Sequence, residues 1–126
     1  MALPSQHRLR SPRSFSKVYH QGRRLGSQYL AIKALKNPVP DDRSPKDLSS
    51  GICFGVSISR KVHKRAVVRN RLKRQIHAAL STLLPRATGA WWVVINVRTT
   101  AIDCKYYDFL RELESLLTAL EVLDGN

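Results

Sequence analysis

Apolar residues recur along this chain with two different periods, and the way those periods alternate predicts an α+β fold. Phe15, Val18 and Tyr19 fall at helical spacing after Ser14, which can cap a helix start, and Gly22 marks a stop. Residues 28–35 read as a strand. Residues 37–51 hold Pro38, Pro40, Pro45, Asp41, Asp42 and Gly51 and read as a loop, the best place in the chain for mobility or an insertion. Residues 52–58 form a second β-rich run, interrupted by Gly55. From Ala66 to Leu84, Val68, Leu72, Ile76, Ala79, Leu80 and Leu83 recur every three or four positions, an amphipathic helix ended by Pro85. Residues 91–97 are almost uninterruptedly apolar, as in a strand buried on both faces. Phe109, Leu110, Leu113, Leu116, Leu117 and Leu120 make a last helical stripe. Helix, strands, helix, strand, helix is the order of a sandwich with helices packed on a sheet. At 126 residues the chain is sized for one domain, 1–126.

Charge changes this picture more than composition does. There are 22 Lys and Arg against 9 Asp and Glu, a formal net charge of +13. The excess is segregated: residues 1–40 hold eight bases and no acid, residues 60–74 hold eight more and no acid, and residues 103–126 hold six of the acids. Such a surface attracts polyanions, nucleic acid first and an anionic membrane second. No apolar run approaches the roughly 20 residues of a membrane span, and the basic N-terminus lacks a signal-like apolar core, so a cytoplasmic location is expected. Cys53 and Cys104 have no metal spacing and are expected to be reduced; with four scattered histidines, no protein-bound metal is expected.

The densest feature is Ser59-Arg60-Lys61-Val62-His63-Lys64-Arg65-Ala66-Val67-Val68-Arg69-Asn70-Arg71-Leu72-Lys73-Arg74. On a helix, residues four apart stack, so Arg65, Arg69 and Lys73 form one cationic row and Asn70 and Arg74 the next. Val68, Leu72 and Ile76 lie opposite and anchor the helix. Solvated helix faces normally mix signs; a face without acids needs an external counter-anion, and arginine offers phosphate bidentate bonds. Phe15 and Tyr19 share a helix face and Tyr29 lies on the first strand; each fits core packing, or a platform on which unpaired bases stack. Cations beside such a platform suit single-stranded RNA better than duplex DNA. A DNA-binding basic helix would normally carry a zipper, and none follows Leu84. No Ser/His/Asp set or paired carboxylates occur in the basic regions, and Glu112 and Glu114 are expected to face solvent.

Arg69-Asn70-Arg71-Leu72-Lys73-Arg74 resembles the RNR signature of the bacterial ribonuclease P protein component. Its setting is similar too: Phe15-Ser16-Lys17-Val18-Tyr19-His20-Gln21-Gly22-Arg23-Arg24, then Gly55-Val56-Ser57-Ile58-Ser59-Arg60-Lys61, then Ala66-Val67, with the apolar strand ending at Arg98, in register from about Leu9 to Leu120. The resemblance implies a small mixed sheet packed with helices, a two-layer, ribosomal-protein-like sandwich with a left-handed βαβ crossover. It implies a protein with no catalytic residue of its own, acting on precursor tRNA with a catalytic RNA that binds the Mg2+ ions. Its partners would be that RNA and the precursor tRNA, with no membrane and no obligate protein partner. Ser59, Arg60, Lys61, Lys64, Arg65, Arg69, Asn70, Arg71, Lys73 and Arg74 would contact RNA, and Phe15, Tyr19 and Tyr29 would line a cleft for the 5′ leader. Two positions depart from the family pattern: His77 stands where an arginine is common, and Ile32 where an aromatic is common. The 37–51 loop looks long for the family. A general RNA-binding protein would show the same charge without promoting cleavage, and a stand-alone protein nuclease is the weakest reading.

Overall fold

The computed structural model describes residues 3–38 and 51–124; residues 39–50, most of the segment expected to be a loop, lie outside the described residues. Four strands form one mixed sheet: β1 (Arg23–Gly26), β2 (Leu30–Lys36), β3 (Ile52–Ser57) and β4 (Trp91–Val97), in the order β1-β2-β4-β3. β1 and β4 are antiparallel to β2, while β3 runs parallel to β4. A parallel neighbour needs a crossover, and α2 (Ala66–Leu83) supplies it between β3 and β4. α1 (Pro12–Gln21) precedes the sheet and α3 (Tyr106–Ala119) follows it.

The two faces of the sheet bury different residues because side chains alternate along each strand. Leu30, Ile32 and Ala34 of β2 and Trp91, Val93 and Ile95 of β4 join Leu72, Ile76 and Leu80 of α2 and Phe109, Leu113 and Leu117 of α3 in the main core. Trp92, Val94 and Cys53 point the other way, where Val18, Leu9 and Phe15 cover them. The main core is thus the expected sandwich of sheet and helices, and α1 lies on the opposite face. α1 covers only part of that face, and this leaves a cleft.

α1 begins two residues before its expected cap, with Pro12 in the first turn, where the missing N–H is not needed. Ser14 is instead buried on the inner face, one turn before Val18. The helix stops at Gly22, whose N–H donates to the Val18 carbonyl (2.8 Å). A Cβ there would stand 2.6 Å from that carbonyl oxygen and 3.2 Å from that of Ala34, so only glycine lets the chain turn so tightly into β1. α3 starts at Tyr106, before its apolar stripe, with the Asp108 carboxylate accepting the Lys105 N–H (2.9 Å).

Candidate nucleic-acid interface

α2 is held by its apolar face, and its polar residues divide into a ridge and two flanks. Val62, buried in the core, pins the turn that precedes it. In that turn the Lys61 N–H donates to Ser59 Oγ (3.3 Å) and the Arg65 N–H to His63 Nδ1 (3.1 Å). Ser59, Arg60, Lys61, Lys64 and Arg65 are exposed on it, and Asn70 and Arg74 are exposed on the outer ridge of the helix. Arg69 is different: its Nη1 donates to the His63 and Lys64 carbonyls (2.9 Å each), so it ties the turn to the helix. Arg71 donates from Nη2 to the Ile102 carbonyl (3.3 Å), on the flank facing α3. Lys73, on the other flank, is exposed and faces the segment before α1.

No carboxylate balances this charge among the described residues. The ion pairs there join Arg86 to Glu114 (2.5 Å) and to Asp124 (3.8 Å), at the far end of the crossover. Like charges crowd at the start of α2, where the helix dipole is also positive, so an external anion is favoured there. His77 extends the Lys73 row but is buried at 8% exposure, not displayed on the basic face. Burial first, then the Arg8 and Lys73 charges, lower its pKa from 6.5 to about 4, so it is neutral at physiological pH.

The cleft on the opposite side of the sheet is aromatic and cationic. Phe15 packs its ring directly on Gly55 of β3, and any Cβ at residue 55 would collide with it. That ring forms one wall of a cavity of about 370 Å³, which Arg8, Arg10, Lys73 and His77 also line. The cavity therefore wraps round the edge strand β3 and joins the cleft to the inner flank of α2. One turn beyond Phe15, Tyr19 donates its hydroxyl to Asn96 Oδ1 (2.9 Å). Lys33 Nζ donates to the Tyr19 carbonyl (2.7 Å) and lies 5.6 Å from the centre of its ring. Arg24 pairs with Lys33 across the ladder and so shares that face. The Arg98 guanidinium lies against Gly26, 2.5 Å from where a Cβ would stand.

The structure thus brings Phe15 and Tyr19 together but not Tyr29, which packs against the main core. The Tyr29 N–H donates to the Glu112 carboxylate (3.1 Å), and Ser27 Oγ donates to the same group. Glu112 is therefore not a solvent-facing acid but the clasp between α3 and the β1–β2 turn, while Glu114 is exposed and pairs with Arg86. Ile32 is fully buried in the main core, and the cleft residues of β2 are its neighbours Ala31 and Lys33. Lys33, Asn96, Arg24, Arg98 and Arg8 were not singled out from sequence. A polar residue inside each of two apolar strands, Lys33 and Asn96, was the available signal.

Among the described residues no three His, Cys, Asp or Glu side chains gather into a possible metal site. Cys53 and Cys104 are buried and not joined in a disulfide. Burial, then Asp108, Glu112 and Asp103, push the Cys104 thiol up to about 11, which keeps it protonated and unreactive. No helix of the described residues is long and apolar enough to cross a membrane.

A rigid basic helix, a mixed sheet and an aromatic cleft define a small α+β protein built to meet a polyanion. Residues 3–121 match the Ribonuclease P family. The ribonuclease P protein component of Microcystis aeruginosa is 43% identical over the whole of both chains, and that of Nostoc punctiforme is 44% identical over all of this chain and 99% of its own. The Staphylococcus aureus RNase P protein superposes with a TM-score of 0.77 at 20% identity, covering 94% of this chain and 98% of that one. For the Thermotoga maritima RNase P protein the values are 0.72 and 21%, covering 89% and 96%. The chain belongs to the ribonuclease P protein component family, the protein part of an endoribonuclease complex that acts in tRNA processing.

Proposed function

We propose that this chain binds the catalytic RNA of ribonuclease P through residues 59–74, and the 5′ leader of precursor tRNA through the cleft between α1 and the sheet. The observation that carries the reading is the continuity of the two surfaces. The Lys73 flank of α2, which has no carboxylate partner among the described residues, opens into the same cavity as the Phe15 ring. One polyanion on α2 and a second strand in the cleft would then be held side by side, with the protein screening their repulsion. Phe15 and Tyr19 offer bases a stacking surface, and Lys33, Arg24 and Arg98 offer the phosphates cations, without base-specific contacts.

Hydrolysis belongs to the RNA in this reading, and the Mg2+ ions that activate water sit there. The protein supplies affinity and position, and it contributes most where Mg2+ is scarce and phosphate repulsion is least screened. The test is precursor-tRNA cleavage by a bacterial ribonuclease P RNA at low magnesium, with and without this protein. Strong stimulation with a correct mature 5′ end supports the proposal. RNA binding without stimulation would point to a general RNA-binding protein, and cleavage by the protein alone to a nuclease.

A further inference from the structure

The flank of α2 that faces α3 carries features that the leader cleft does not use. Tyr107, in the first turn of α3, is 72% exposed, and Val67, in the first turn of α2, is 77% exposed. Val67, Arg71 and Gln75 are four residues apart, so they form one row, which leads from the basic ridge into the seam between the two helices. There Arg71, Gln75, Lys105 and Tyr107 line a cavity of about 490 Å³, together with the acid Asp103. On the other side of Tyr107, Arg111, Leu110 and Thr82 line a second cavity of about 300 Å³ with Glu114, which Arg86 already engages.

We propose that this seam is a second RNA-contact site, in which an unpaired nucleotide stacks on Tyr107 with its phosphate held by Arg71 and Lys105. The inference rests on the RNA-binding reading above and extends it to a surface on the opposite flank of α2 from the cleft. Three observations support it. The Tyr107 ring is held edge to face against Tyr106 (centroids 5.2 Å apart, 74° between planes), and the Tyr106 hydroxyl is hydrogen-bonded to Thr82 Oγ1 (2.6 Å). A platform fixed in this way loses little freedom when a base covers it. Arg71 spends one donor on the Ile102 carbonyl and keeps the rest of its fork for an anion in the cavity it lines. Gln75 has its carboxamide oxygen buried with no donor in reach, and turning into the groove toward a base amino group would give it one. A nucleotide is the occupant these groups fit, because the row that enters the groove is continuous with Arg74 and Asn70 on the basic ridge, and Arg111 waits beyond Tyr107 for the next phosphate.

The experiment is equilibrium binding of the full chain to ribonuclease P RNA over a range of salt, with Tyr107→Ala, Tyr107→Phe and Arg71→Ala. Tyr107→Ala should weaken binding about 5- to 150-fold with an unchanged salt slope, since stacking releases no counterions. Tyr107→Phe should bind like the parent, and Arg71→Ala should lower the slope by about one at most. Thermal melts will check that the exposed substitutions leave the fold intact. If Tyr107→Ala binds like the parent while Arg74→Ala is weakened, the seam is not an RNA site, although the wider reading stands. Failure of the parent chain to bind at all would remove both. If Tyr107→Ala instead altered self-association of the free chain in sedimentation, the seam would be an interface between copies and the proposal would fall.

Discussion

Lowering the pH from 7 to 5 should take stability from this fold through one side chain, His77. In the folded chain its pKa is about 4, against 6.5 when unperturbed. Above pH 6.5 the imidazole is neutral in both states and no difference arises. Between 6.5 and 4 the unfolded chain binds a proton that the folded chain refuses, so stability rises with pH through that window and falls as acid is added. The two values give a loss of about 2 kcal/mol on going from pH 7 to pH 5, and about 3 kcal/mol in full below pH 4. The physical origin is burial at 8% exposure, with Arg8 and Lys73 facing the ring from the N-terminal segment and from α2, and Arg10 lining the same cavity. Urea unfolding followed by the fluorescence of the buried Trp91 and Trp92 at pH 7 and pH 5 would measure it, in the parent and in His77→Gln. Carboxylates and the other histidines affect both chains alike, so the difference isolates residue 77. His77→Gln should lose about 2 kcal/mol less than the parent between the two pH values. Equal losses in the two chains, within about 0.5 kcal/mol, would refute the reasoning.

Other outcomes follow from the same contacts. Arg69→Ala should lower stability by about 1–2 kcal/mol as well as RNA affinity, because the His63 and Lys64 carbonyls lose their donor. Equal melting temperatures for Arg69→Ala and the parent would show that these two bonds add nothing to the fold. Arg74→Ala, exposed on the ridge, should leave the melt unchanged and lower the salt slope of RNA binding by about one. Gly55→Ala should destabilise by about 1–3 kcal/mol through overpacking against Phe15, and in a Phe15→Ala background that loss should vanish. A double-mutant cycle with no coupling would show that the ring is free to move aside. Glu112→Ala should destabilise by about 1–3 kcal/mol, as Ser27 and the Tyr29 N–H lose their acceptor, and hydrogen exchange should quicken at residues 27–30.

Much of this was legible in the sequence where a segment was long and strongly periodic. α2 and β4 begin where their patterns begin, since eighteen residues of helical periodicity and seven of nearly continuous burial leave no competing register. β1 was not legible. Arg23-Arg24-Leu25-Gly26 has one apolar side chain and becomes a strand only because β2 offers it a ladder. The cleft was half legible. Phe15 and Tyr19 stand out as aromatics four apart, but the facing of Tyr29 and Ile32 depends on where β2 starts, and a strand's faces exchange with a one-residue shift. Glu112 read as a solvent-facing acid because its partners, Ser27 and Tyr29, are more than eighty residues away in the chain. Arg69 looked like every other base of its row, since only the fold brings two backbone carbonyls under its guanidinium. His77 stands out in the sequence only as a departure from an arginine common in the family, and the structure adds that it is buried beside Arg8.

The central claim is that the protein tightens the complex by holding the leader beside the catalytic RNA. Its most direct test is the affinity of ribonuclease P RNA for precursor tRNA and for mature tRNA, each with and without this protein, at low magnesium. The protein should strengthen binding of the leader-bearing precursor and leave mature tRNA nearly unchanged, and Tyr19→Ala with Lys33→Ala should erase most of that difference. Equal strengthening of both tRNAs, or a leader effect untouched by the two substitutions, would contradict the account.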